Sequence, residues 1–310
     1  MHTTDSQPKG CNVVVAGYVL AGLTAGLGIL CPESAVAVPI DAQLPYALYG
    51  HESNIGGRCA ATSMINSFVY LSHISPSLYR NTQLLSGPGT DENGDGVVNL
   101  QDSIISLDNL MGGNGCGVNR QQAWEGKMNW FQRYAPGTTT FAGMVNEDFT
   151  GWEGAAFLAR GEPTMNFLLG ELRAGEDVEL RIGFADGSGH YVTLTSLRID
   201  DNNNNGAWDP GIGETASLDY IDPNCPAGTN AGNPGPSVVP LSLVGGTLQF
   251  NWVNGNGTVC NPRDPSVPVS ITAAWAESSI PEPSSLLLTF AGLAGVAALR
   301  RRIVGLRQAP

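Results

Sequence analysis

The sequence predicts an α+β fold: a helix bearing a cysteine, packed on an antiparallel sheet bearing a histidine and an aspartate. Three observations carry this expectation. "GGRCAATSMINSFVYL" opens on chain-breaking glycines, and from Cys59 onward Ala61, Ile65, Phe68 and Leu71 recur at helical spacing. "HYVTLTSLRI", from His190, and "ASLDYID", ending at Asp222, alternate as strands do, with the turn-rich "DDNNNNGAWDPGIGE" between them. Forty glycines and only 14% charged residues in a chain of 310 favour short strands and long loops over a helical bundle.

The two ends read as sorting segments. Residues 12–30 are almost continuously apolar behind Lys9, and Ala35 and Ala37 fit the small-residue pattern of a signal-peptidase site. Residues 1–37 are therefore expected to be a cleaved signal peptide, with a retained N-terminal membrane helix as the alternative. Leu30 before Cys31 argues against a lipid-anchored cysteine. At the other end stand Pro281, Glu282 and Pro283, an apolar run over 286–299, then Arg300, Arg301 and Arg302. The run is short for a full span, but the basic cluster would hold it at a cytoplasmic face. This arrangement over 280–310 closely resembles the PEP-CTERM sorting signal of bacterial exopolysaccharide-associated proteins. The resemblance implies export in a Gram-negative-type bacterium to the cell envelope, outer surface or exopolysaccharide matrix. It also implies transient membrane anchoring by the C-terminal segment and cleavage near residues 281–283 by an exosortase-type sorting enzyme.

Between these segments, residues 38–279 form the expected domain. They carry 25 Asp and Glu against 10 Lys and Arg. Such acidity excludes a nucleic-acid partner, because nothing would neutralise phosphates. Four cysteines remain, Cys59, Cys116, Cys225 and Cys260. In an oxidising compartment they are free to form two disulfides. A Cys225–Cys260 bridge would close a loop of about 35 residues, worth roughly 3–4 kcal/mol. A Cys59–Cys116 bridge would make the protein inert.

Cys59 sits at the mouth of its helix, where the dipole and free N–H groups favour a thiolate. A structural cysteine has no need of that position; a nucleophile does. Of the four histidines, His2 leaves with the signal peptide and His73 is expected on the surface just past the helix. His51 is a loop or site residue. His190 stands at the start of a strand after "FADGSG", from where it can reach a neighbouring helix end. Facing residues of a hairpin have a constant index sum, and pairing His190 with Asp222 centres the loop on Gly206. A hairpin without a bulge thus sets them side by side, so that the acid holds the imidazole in one tautomer.

"RCAATSMINSFVYL", "FLLGELRAGEDVELRIGFADGSGHYVTLTS" and "LDYIDP" follow in that order. Over residues 43–223 the chain resembles the papain-like cysteine peptidases, most closely the bacteriocin-processing, double-glycine-leader group. The resemblance implies Cys59 as nucleophile, His190 as general base and Asp222 as orienting acid, acting on a peptide or protein substrate. The family also uses a glutamine before the cysteine as an oxyanion donor. Here the choice lies between Asn54, favoured by spacing, and the more distant Gln43. Cys59-Ala60-Ala61-Thr62 replaces the family's usual Cys-Gly pattern, which leaves helix entry intact. A catalytically inactive papain-like surface or matrix binding protein is the alternative reading.

Two acidic loops predict calcium. In "DENGDGVVNLQD" Asp91, Asn93 and Asp95 fill the first three ligand places. Gly96 makes the turn, the Val97 carbonyl follows, then Asn99 and Asp102. The loop is EF-hand-like and most similar to the dockerin type. Asp201, Asn203, Asn205, the Ala207 carbonyl and Asp209 begin a second such loop, which has Ile212 at the closing place and Glu214 beyond. A calcium there is expected to fix the turn that sets His190 against Asp222. The aromatics Trp124, Trp130, Tyr134 and Trp152 are expected in the core rather than in a cleft. "VVPLSLVGGTLQFNWV" and "VPVSITAAWAE" read as strands that extend the sheet or form a small C-terminal β extension.

Overall fold

The computed structural model describes residues 38–224, 237–252 and 268–280. The signal-peptide, Cys225, Cys260 and C-terminal sorting expectations lie outside them. Among the described residues no helix is long and apolar enough to cross a membrane.

The chain begins with strand β1 (Val38–Gln43) and then the cysteine helix α1 (Cys59–Ile74). Helices α2 (Pro76–Tyr79), α3 (Leu100–Leu110) and α4 (Arg120–Tyr134) follow. Strands β2 (Thr139–Val145) and β3 (Leu158–Arg160) lead to α5 (Met165–Ala174). The remaining strands are β4 (Asp177–Gly183), β5 (Gly189–Asp201), β6 (Ala216–Ile221), β7 (Ser237–Val244), β8 (Thr247–Asn251) and β9 (Pro268–Ser279).

Local chemistry sets the helix ends. Asn99 and Asp102 form a capping box at the start of α3, and Asn119 and Gln122 form another at α4. Thr164 caps α5 by accepting from the Phe167 N–H, and Gly175 ends it in the left-handed conformation. The β7–β8 turn has Gly245 and Gly246 both at positive φ, the pairing a tight hairpin needs.

Among the described residues the nine strands belong to one sheet, antiparallel except for β2 with β3. The ladder β4-β5-β6-β7-β8-β9 returns to β4, so it closes into a six-stranded antiparallel circuit and leaves no free edge there. β7 to β9 are therefore no appendage: β9 lies between β4 and β2. Alternation along the strands separates two cores. Leu180, Ile182, Val192, Leu194, Leu218 and Phe250 fill one. Met64, Ile65 and Phe68 of α1 pack in the other with Trp124, Trp130, Tyr191 and Trp275. Trp152 is buried there too and Tyr134 packs against that core, so these aromatics belong to the interior.

The β5–β6 register differs from the bulge-free expectation. Thr193 pairs with Ile221, and beyond an irregularity at Leu194/Ser196 the pairing becomes Ser196 with Asp219. Asp222 thus lies one residue past the paired end of β6, not opposite His190. The two side chains meet diagonally instead.

Candidate active site

Two hydrogen-bonded hydroxyls tie the cysteine helix to the histidine strand. Ser63 of α1 and Thr193 of β5 are buried with their oxygens 2.9 Å apart, and the Thr193 hydroxyl also donates to the Ser63 carbonyl. Cys59 lies about one helical turn before Ser63, and His190 precedes Thr193 on its strand. The buried contact therefore sets the start of the helix beside the start of the strand.

The helix mouth is open. Arg58 provides no side-chain cap to α1, so its first N–H groups are left for the site. Gly57, at positive φ, lies so close to the 113–117 loop that a Cβ there would stand 2.7 Å from the Gly115 carbonyl oxygen. Asp108 holds that loop by accepting from the Gly115 N–H at 2.7 Å, and it pairs with Arg58 at 3.3 Å.

His190 Nε2 and Asp222 Oδ1 are 2.7 Å apart, with both side chains buried. The other ring nitrogen is left for Cys59, with which His190 is hydrogen bonded. Burial by itself would lower the histidine pKa, but Asp222 and Cys59 outweigh it and raise the value to about 10. Burial by itself would raise the thiol pKa. His190, with a backbone hydrogen bond from Tyr191, outweighs it and brings the value below the ordinary thiol range. The arrangement favours a thiolate–imidazolium pair. Cys59 and Cys116 are both free thiols, so the 59–116 bridge is not formed.

A cleft of about 320 Å³ lies over these groups, lined by Asn54, Cys59, Cys116, Phe184, His190 and Asn224 among others. That is near the small end of ligand pockets, ~300–1,000 Å³. Asn54 is at the site: its Nδ2 donates to Asn224 Oδ1 at 2.6 Å and its backbone N–H to the Pro223 carbonyl at 2.7 Å. Gln43 is not; it is exposed on β1, paired with Ser196. The His51 ring lies against that of Tyr46 at a tilt of 42°, and His73 lies within the last turn of α1, exposed. Two neighbours escaped the sequence reading. Asn224 donates its backbone N–H to Asp222 Oδ1 at 2.8 Å, and the Trp252 ring lies 5.6 Å from that of His190. The "DPN" turn after β6 was the available signal for the first; nothing local marks the second.

The acidic loops are wound by their own side chains. Asp91 accepts from the N–H groups of Gly94, Asp95 and Gly96, Asn93 from Asp95, and Asp95 from Val97. Asp102 closes the loop by accepting from Glu92, Asn93 and Asn99. In the second loop Asp201 accepts from Asn205 and Gly206, and Asn205 from Ala207. Its closing residue is Glu214, not Ile212, which is exposed. Glu214 accepts from the N–H groups of Asn203 and Asp209, as Asp102 does from Asn93 and Asn99. This loop joins the far ends of β5 and β6. His190 is eleven residues from Asp201 along β5, about 36 Å at strand rise.

Residues 279–302 match the PEP-CTERM protein-sorting motif. The motif implies recognition by an exosortase and export to the cell envelope of a bacterium. No curated protein matches the chain.

Proposed function

We propose that this exported protein is a papain-like thiol hydrolase that cleaves a peptide or amide bond through Cys59, His190 and Asp222. The observation that carries the reading is the buried His190–Asp222 contact, 2.7 Å long, beside a free cysteine at an uncapped helix start. The thiolate attacks the carbonyl carbon and forms a C–S bond. The Cys59 N–H and an amide donor face the developing oxyanion. The imidazolium gives its proton to the leaving amine, and water then hydrolyses the acyl-enzyme with His190 as base.

One observation favours the inactive binding protein instead. Asn54 Nδ2 donates to Asn224 Oδ1 within the cleft, which engages one of the two N–H groups an oxyanion would need. A mixed peptide library incubated with the mature domain under reducing conditions separates the two. The enzyme releases fragments, and Cys59→Ala or prior alkylation abolishes release. Peptides retained on the protein but left uncut would sink the catalytic reading.

Calcium fits both acidic loops, whose donors are all oxygens. Asp91, Asn93, Asp95, the Val97 carbonyl, Asn99 and Asp102 would hold one ion. Asp201, Asn203, Asn205, the Ala207 carbonyl, Asp209 and Glu214 would hold the other. With the second loop at the far end of β5, the ion would act on stability rather than directly on the site. Calcium at a hundred times Kd is expected to stabilise by about 2.7 kcal/mol per site, with Asp91→Ala and Glu214→Ala each removing one share. Equal melting temperatures in calcium and in chelator would refute calcium binding.

A further inference from the structure

Away from the thiol, the structure buries a lysine among three carboxylates. Lys127 of α4 is 0% exposed, and its Nζ contacts Glu179 Oε2 of β4 and Glu277 Oε1 of β9. Asp177 pairs directly with Glu277 in the β4–β9 ladder and is also 0% exposed. One oxygen from each of the three acids lies within 4.8 Å of the others. Glu179 Oε1 and Glu277 Oε2 lack hydrogen-bond partners, and the polar side chain beside Asp177 on its own side is the Ser67 hydroxyl. The Trp275 ring lies 5.9 Å from the ammonium.

One ammonium cannot balance three buried carboxylates. Burial, followed by Glu179, pushes the carboxyl pKa values of Asp177 and Glu277 well up despite Lys127. A divalent cation would have to share the centre with the ammonium already there. The groups are instead those of a condensation: an amine, an acceptor carboxyl, a base and a neutral acid.

We propose that Lys127 and Glu277 join in an intramolecular amide bond. Glu179 takes a proton from the ammonium and frees its lone pair. Nζ attacks Glu277 Cδ, forming the N–C bond. Asp177, across the ladder, protonates the departing oxygen, and the second amine proton joins it so that water leaves as the C–O bond breaks. Glu179 then returns its proton to Asp177. One ammonium and one carboxylate become one amide and one water, with no oxidant or cofactor. Holding the two groups in contact supplies an effective concentration of the order of 10⁵–10⁸ M for well-oriented pairs. The neutral product also removes a buried ion pair and its desolvation cost. The bond would fasten α4 to β9 in a way that neither reductant nor chelator reverses.

The test is the denatured mass of the purified mature domain, followed by tandem mass spectrometry of a tryptic digest. Lys127→Arg keeps the positive charge and serves as the processing reference. The wild type is expected to be lighter than its sequence by one water, which the arginine variant retains. A branched peptide joining Lys127 to Glu277, uncut after Lys127, is expected in the digest. A full-mass wild type with an ordinary peptide ending at Lys127 would overturn the proposal. A branch to Glu179 would overturn the assignment of Glu277 as acceptor.

Discussion

Replacing His190 with alanine is expected to slow iodoacetamide alkylation of Cys59 at neutral pH by about tenfold or more, since each pKa unit is tenfold in thiolate. In the intact site His190 outweighs the burial that would otherwise raise the thiol pKa. Without the imidazolium, burial acts almost alone. The variant should therefore titrate above an ordinary thiol, whereas the wild type titrates below one. The sign follows for stability as well. The histidine pKa is raised to about 10, so its contribution is full below ~6.5 and is lost as pH rises through about 10. The thiol pKa is lowered, so its contribution is present above the ordinary thiol value and is lost as pH falls through the folded one. Both describe one ion pair and are counted once. Alkylation rates measured against pH in both proteins decide the matter. Coincident profiles would mean that the two groups do not interact.

Replacing Lys127 with methionine is expected to cost about 3–5 kcal/mol relative to protein in which the Lys127–Glu277 amide has not formed, the usual penalty for breaking a buried pair from one side. The apolar stem is kept, but three carboxylates lose the cation that faces two of them. Asp177 and Glu277 already have raised pKa values, from burial first and then from Glu179. A raised carboxyl contributes stability below its unfolded value, near 4, and loses it as pH rises through the folded value. Without Lys127 the rise is larger, so the variant's deficit should grow from pH 4 to pH 8. Urea unfolding at both pH values measures this. A deficit within about 1 kcal/mol at pH 8 would show that the lysine does not hold the cluster together.

The thiol site was legible because its residues sit at the ends of strongly patterned elements. Cys59 opens a periodic helix, and His190 and Asp222 bracket two alternating strands. The pairing arithmetic failed because a bulge is invisible to alternation. It reached the right neighbours because the diagonal across a strand pair is still within side-chain reach. The lysine cluster was not legible. "DVELRIG" alternates as a half-exposed strand would, which assigns Asp177 and Glu179 to water. Helices cover that face, and the covering helix α4 has a mixed sequence with little apolar stripe. Glu214 was missed as the loop-closing residue because two extra residues displace it from the expected place.

β9 is the last of the described strands, yet β4, β2 and β8 all pair with it, and the sorting motif begins at its final residue. A chain emerging N-terminus first across a membrane lacks this strand until residues 268–279 have crossed. Until then β4 is unpaired on one edge and the circuit stays open. Closure of the sheet therefore waits for the segment that immediately precedes the sorting motif.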